Sequence, residues 1–225
     1  MIGVFDSGVG GICAFREIRR LMPREDMVYM ADRKNAPYGT KTKEEIIALT
    51  KADIKRLKAV GATRILIACC TASSVYDCLD GEEKEISLPI IKPAAEKAAR
   101  GARGIAVIAT EGTVRSGAFS YELSRLTDAP VSEFACQRLV ALVEGGCRDG
   151  RLNGECQGEL DRIAELVKAV GADTLILGCT HFSHLENELR QRCGVRTVSP
   201  AREGAIALVK QIKNFRKENG RTIYM

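Results

Sequence analysis

Short runs of β-branched and other apolar residues alternate along the chain with longer stretches in which apolar positions recur every three or four residues. The short runs are IGVF (2–5), MVYMAD (27–32), RILIAC (64–69), LPIIK (88–92), GIAVIAT (104–110), VSEFAC (131–136), TLILGC (174–179) and RTVSP (196–200), and each predicts a strand. Between them, KEEIIALTKADIKRLKAV (43–60) and LDRIAELVKAV (160–170) carry apolar residues on one helical face and charges on the other. Strands that are nearly continuous in apolar residues need helices on both faces. The alternation therefore predicts an α/β fold of doubly wound, mostly parallel sheets. A last helix over 200–217 is expected to pack back on the first half, and the tail 216–225 carries no readable signal.

One segment occurs twice. KAVGA stands at 58–62 and again at 168–172, and each copy ends a helix, turns at Gly61 or Gly171, enters a strand and reaches a cysteine, Cys69 or Cys179, at the same offset. A weaker echo pairs IGVFDSG (2–8) with IAVIATEG (105–112). Such self-similarity predicts two pseudo-symmetric lobes, residues 1–93 with 201–225 and residues 94–200, joined by short crossings near 92–95 and near 200. Ligands of open parallel sheets sit beyond the carboxyl ends of the strands, so two such lobes facing each other enclose an active-site cleft.

The length of 225 residues allows one large domain or two small ones, and 45% hydrophobic with 28% charged residues is an ordinary soluble composition. The formal charge of +5 is spread along the chain, which argues against a nucleic-acid arm or a membrane patch. No apolar run approaches the roughly 20 residues of a membrane span, and MIGVFDSG has no features of a secretion signal, so a cytoplasmic protein is expected. Nine cysteines, an odd number with no CxxC pair, are then expected as free thiols.

Cys69 and Cys179 each close a strand and precede small polar residues that could open a helix, a position that lowers a thiol pKa from about 8.5 towards neutrality. A free cysteine is most often a small buried residue; a repeat-related pair is less easily read that way. Thiols on opposite faces of one carbon are what stereochemical inversion requires, one removing a proton while the other delivers one. The loop Asp6-Ser7-Gly8-Val9-Gly10-Gly11 offers backbone N–H groups to an anion. A dinucleotide fingerprint there lacks its third glycine, because Cys13 stands in that place, and the Walker order is broken at 39–42. Pro37-Tyr38-Gly39 could bring the Tyr38 hydroxyl and loop amides to the cleft, or be a plain turn. Cys179, His181 and His184 form C-x-H-x-x-H, but these are the only two histidines and no further ligand stands out, so no metal is expected. His181 reads better as a partner that polarises Cys179 or protonates a carboxylate, the alternative being a solvent-facing or capping residue. Glu144 could be a carboxylate beside it or merely a helix end.

Together, FDSGVGG (5–11), Asp32-x4-Pro37-Tyr38-Gly39, ACCTAS (68–73), VRSGAF (114–119) and LGCTH (177–181) resemble the glutamate racemases of the aspartate/glutamate racemase superfamily. The resemblance implies interconversion of L- and D-glutamate for peptidoglycan by a cytoplasmic homodimer that uses no pyridoxal phosphate, metal or nucleotide. It also implies Cys69 and Cys179 as the two bases and Asp6, Glu144 and His181 as aids to proton transfer. Ser7, Pro37, Tyr38, Gly39, Thr71 and Thr180 would hold the amino acid, with Cys70 where the family carries an asparagine. A thiol is a weak donor and acceptor beside an amide, so Cys70 bears on substrate choice. Lys92, Asn35, Ser199 and the segment 182–184 also depart from the family pattern. Two alternatives stand beside this reading: a racemase of aspartate or another carboxylate amino acid, and a non-catalytic protein that binds an acidic ligand.

Overall fold

The computed structural model describes residues 1–212 and 220–225. Its first half runs β1 (Ile2–Asp6), α1 (Ile12–Leu21), β2 (Met27–Ala31), α2 (Lys43–Ala59), β3 (Arg64–Ile67), α3 (Cys70–Ser73), α4 (Gly81–Ile86), β4 (Ser87–Pro89) and α5 (Ile91–Ala99). The second runs β5 (Ile105–Ala109), α6 (Glu111–Ser116), α7 (Ala118–Ser124), β6 (Val131–Ala135), α8 (Gln137–Glu144), α9 (Gly154–Ala169), β7 (Thr174–Gly178), α10 (Glu186–Cys193) and β8 (Arg196–Val198). Then come α11 (Pro200–Gln211) and β9 (Thr222–Tyr224). The strands form two sheets, β4-β3-β1-β2-β9 and β6-β5-β7-β8. Every pairing between these strands is parallel. Written from its other edge the second sheet is β8-β7-β5-β6, the order of β4-β3-β1-β2. The fold is thus α/β with two related sheets, and the duplicated KAVGA leads into β3 and β7, strands in equivalent places.

Local chemistry sets the element ends. Thr42 and Glu45 form a capping box at the start of α2, and the Asn153 side chain accepts the Cys156 N–H at the start of α9. Both helices end before a glycine with positive φ, +91° at Gly61 and +62° at Gly171, conformations that a side chain would strain. LPIIK departs from expectation: β4 stops at Pro89, and Ile91, Ala94, Ala95 and Ala98 form the buried stripe of α5. The expected helix over 200–217 is α11 as far as Gln211, and its positions from 213 lie outside the described residues. The tail supplies an unexpected strand: β9 pairs with β2, and Arg19 holds it through Thr222 Oγ1 at 2.8 Å.

The two sheets share one core. Val4 and Leu66 of the first sheet belong to the same buried cluster as Ile105, Val107 and Ile176 of the second, with residues of α1, α5, α7 and α11 between. α11 packs on α1 and α5. Each buried aliphatic side chain there contributes about 1.5–3 kcal/mol, so the halves are joined apolar face to apolar face. The cavity that both thiol-bearing loops line lies at the carboxyl ends of the strands. Among the described residues no helix is long and apolar enough to cross a membrane.

Candidate active site

Cys69 lies just beyond β3 and caps α3, while Cys179 lies just beyond β7 and opens a 3-10 turn over Thr180–Leu185. The repeat thus delivers one thiol from each half, and both line the same cavity. Ser7, Cys70, Thr71 and the Pro37–Gly39 segment line it from the first half, and Thr180, His181 and Glu144 from the second. Asp6 sits immediately behind. Its carboxyl is fully buried, accepts the Gly8 N–H at 2.8 Å, and accepts the Thr180 hydroxyl of the other half at 2.9 Å. The two loops approach so closely that a methyl group on Gly10 would lie 2.7 Å from the His181 backbone nitrogen. The cavity gives the centre of a water molecule only about 20 Å³ to move in, room for about one water.

Each thiol has its own set of partners. Cys69 Sγ lies 3.4 Å from Ser7 Oγ and 3.5 Å from the Ala72 N–H, and Cys179 Sγ lies 3.5 Å from His181 Nδ1. The near-neutral thiols expected from sequence are corrected here. Burial pushes Cys69 up to about 11, helped by the Asp6 charge, although the Ser7 hydroxyl and nearby amides pull it back. Burial likewise holds Cys179 well above an ordinary thiol, against the pull of the His181 amide, and Cys70 is raised mainly by burial and then by Cys179. The helices that were to lower them are short: α3 has four residues and Cys179 precedes a 3-10 turn. Partial charges at such termini do not offset desolvation.

His181 is buried and bridges Cys179 to Glu144, whose Oε1 lies 3.3 Å from Nε2. Nε2 nevertheless makes no hydrogen bond there. Tyr38 differs from expectation. The residue lines the cavity, but its hydroxyl is engaged by Asp32 Oδ2 at 2.7 Å and Asp53 Oδ2 at 2.9 Å. His184 faces Cys13, with Nε2 3.7 Å from the sulfur. Four cavity residues escaped the sequence reading: Ala36, Thr110, Gln137 and Val140. Thr110 was findable, because the echo of 2–8 in 105–112 pairs it with Ser7. It joins Thr71 and Thr113 in a buried hydroxyl cluster with separations of 2.9–3.1 Å. Gln137 brings to the cavity a buried Oε1 with no hydrogen-bond partner, and nothing in the local sequence signals it.

Residues 15–208 match the profile of the Asp/Glu/Hydantoin racemase family. The chain belongs to that family. Over 202 residues it is 39% identical to the glutamate racemase of Cupriavidus pinatubonensis, covering 86% of this chain and 71% of that one. A glutamate racemase from Francisella tularensis, solved in complex with D-glutamate, superposes with a TM-score of 0.90 at 25% identity, over 99% of this chain and 86% of that one. A glutamate racemase isoform from Bacillus anthracis superposes with a TM-score of 0.89 at 29% identity, over 100% and 87% of the two chains. Two related sheets meeting at one cavity are thus the architecture of amino-acid racemases, and this chain is an isomerase of that class.

Proposed function

We propose that this protein interconverts L- and D-glutamate by two-thiol acid/base catalysis. The observation that carries the reading is the convergence of Cys69 and Cys179 on one cavity from equivalent places in the two halves. One thiolate removes the α-proton from one face, and the opposite thiol delivers a proton to the other. In the reverse direction the roles exchange. Both thiols rest protonated because burial disfavours their charge. The substrate brings an ammonium group, and a cation within about 4–6 Å lowers a thiol pKa. Ser7 and the Ala72 amide receive the developing charge on Cys69, while His181 shifts the proton of Cys179 with Glu144 behind it. Asp6 holds the two loops together through Thr180.

Ser7, Pro37, Tyr38, Gly39, Cys70, Thr71 and Thr180 form the walls that hold the amino acid, with Thr110 and Gln137 added. The lobes, 1–93 with 201–225 and 94–200, open to admit substrate and close to exclude water, which strengthens hydrogen bonds to the developing carbanionic carboxylate. In this reading the protein supplies D-glutamate for peptidoglycan in a bacterial cytoplasm and works as a homodimer. The direct test is proton NMR in D₂O with each enantiomer of glutamate, and of aspartate in parallel. Loss of the glutamate α-proton signal with wild type, but not with Cys69→Ala or Cys179→Ala, is expected. Exchange with aspartate alone would move the substrate, and exchange with none would overturn the reading.

A further inference from the structure

Tyr38 has one hydroxyl proton and two carboxyl neighbours. Its oxygen lies 2.7 Å from Asp32 Oδ2 and 2.9 Å from Asp53 Oδ2, and all three side chains are buried. The hydroxyl can donate to only one of them. The second short contact is a hydrogen bond only if that carboxyl carries a proton and donates to the Tyr38 oxygen. The surroundings say which one does. Asn35 Nδ2 donates to both oxygens of Asp32, at 3.1 and 2.9 Å, which favours the charged form of Asp32. Asp53 is 2% exposed, and the cation paired with it among the described residues, Arg56 at 3.2 Å, has a half-exposed side chain that water screens.

We propose that Asp53 is a positioning residue whose proton completes an Asp53–Tyr38–Asp32 clasp, and that this clasp sets the Pro37–Gly39 wall of the active-site cavity. The wall is held to close tolerance. A methyl group on Gly39 would lie 2.8 Å from Thr110 Cβ and 3.0 Å from Gln137 Oε1, both on the opposite half. A shift of Tyr38 therefore moves the part of the wall that meets the other half. The Asp53 carboxyl is raised to about 6, chiefly by burial and then by the Asp32 charge, against the pull of Tyr38 and Arg56. Among the described residues, the titratable and charged groups that act on Asp53 are Asp32 and Tyr38 from the segment after β2, and Arg56 from its own helix. α3 also packs on α2, but its one ionisable side chain, Cys70, takes its charge interactions from Cys179, Cys69 and Asp6.

The direction of the effect follows. When the wall swings away, Asp53 meets water and returns to an ordinary value near 3.9. Seating Tyr38 therefore takes up a proton between about pH 4 and 6, and becomes progressively harder across that interval. Above about 6 the handicap is constant. Asp53→Asn keeps a donor to Tyr38 at every pH, whereas Asp53→Leu removes it at every pH.

The test has two arms, and only the kinetic one rests on the racemase reading. In the first, ¹³C NMR of protein labelled at the aspartate side-chain carboxyl, assigned by the signal missing in D53N, follows Asp53 directly. A midpoint near 6 is expected, and a midpoint near 4 overturns the proposal whatever the activity. In the second, KM and kcat for glutamate are measured from pH 4.5 to 8 in wild type, D53N and D53L. The ratio of wild-type KM to that of D53N is expected to climb until about pH 6 and then stay flat at about a hundredfold, as values near 3.9 and about 6 require, with kcat little changed. D53L should show a raised KM with no such climb. A D53N profile that tracks wild type at every pH would overturn the proposal. Loss of turnover in wild type would overturn the racemase reading and leave the NMR result standing.

Discussion

Thr180→Val isolates the bond that ties the two halves together at the site. The Thr180 hydroxyl donates to Asp6 Oδ2 at 2.9 Å, between two side chains that are 3% and 0% exposed. Valine keeps the shape and removes the donor, leaving one oxygen of a buried carboxylate without its partner. A hydrogen bond to a charged group is worth about 1.5–3 kcal/mol, so we take about 2 kcal/mol. If the bond is required in the closed, reacting state, kcat/KM falls about 30-fold. If it also holds the ground state, the melting temperature falls about 4–8 °C for a chain of this size. The assay is α-proton exchange together with thermal unfolding of T180V, Asp6→Ala and the double variant. The pair should show a coupling of about 1.5–2 kcal/mol, well above the 0.5 kcal/mol or so seen for independent sites. Additive effects, or a T180V variant with wild-type kcat/KM, would refute the idea that this bond closes the site.

Gly10→Ala sets a methyl group 2.7 Å from the His181 backbone nitrogen, and overpacking costs about 1–3 kcal/mol, so activity should fall about five- to 150-fold. Gly154→Ala, where nothing lies within 4 Å, should be silent; equal effects of the two would sink the argument. Because Cys69 is raised to about 11, only about one molecule in a thousand carries its thiolate at pH 8. Iodoacetamide should then label exposed Cys78 first, and mass spectrometry showing Cys69 labelled as fast would contradict the closed, protonated site. Cys70→Asn adds an amide to the cavity wall and, at about 2 kcal/mol for one hydrogen bond to a carboxylate, should lower the KM for glutamate about 30-fold. An unchanged or higher KM would point to a pocket shaped for another substrate.

What could be read from the sequence was whatever repeats or alternates. The KAVGA duplication located β3 and β7 and, at the same offset, the two thiols, because a repeated segment must occupy equivalent places in two similar sheets. The fainter echo of 2–8 in 105–112 correctly matched β1 to β5. β9 was not legible, since three exposed residues that pair only with an edge strand need no apolar run. Asp53 was not legible either: in a helix rich in Lys and Glu, one more charge reads as a solvent face, and only the fold shows it buried against Tyr38. The thiol environments were misjudged because a strand end followed by small polar residues suggests a helix terminus without giving its length. Sequence gives no measure of burial at that point, and burial is the stronger effect on both thiols.

In the proposed mechanism two different thiols act on opposite faces of the α-carbon, and the isotopic content of the first turnovers reports on both. L-glutamate is incubated with the protein in D₂O, the reaction is stopped at a few per cent conversion, and the enantiomers are separated for mass analysis. A two-thiol mechanism predicts D-glutamate carrying deuterium at the α-carbon, delivered by solvent-equilibrated Cys179 or Cys69, while the recovered L-glutamate still carries its original proton. Early D-glutamate that retains the original proton, or recovered L-glutamate as deuterated as the product, would mean that a single group serves both faces and would contradict the account.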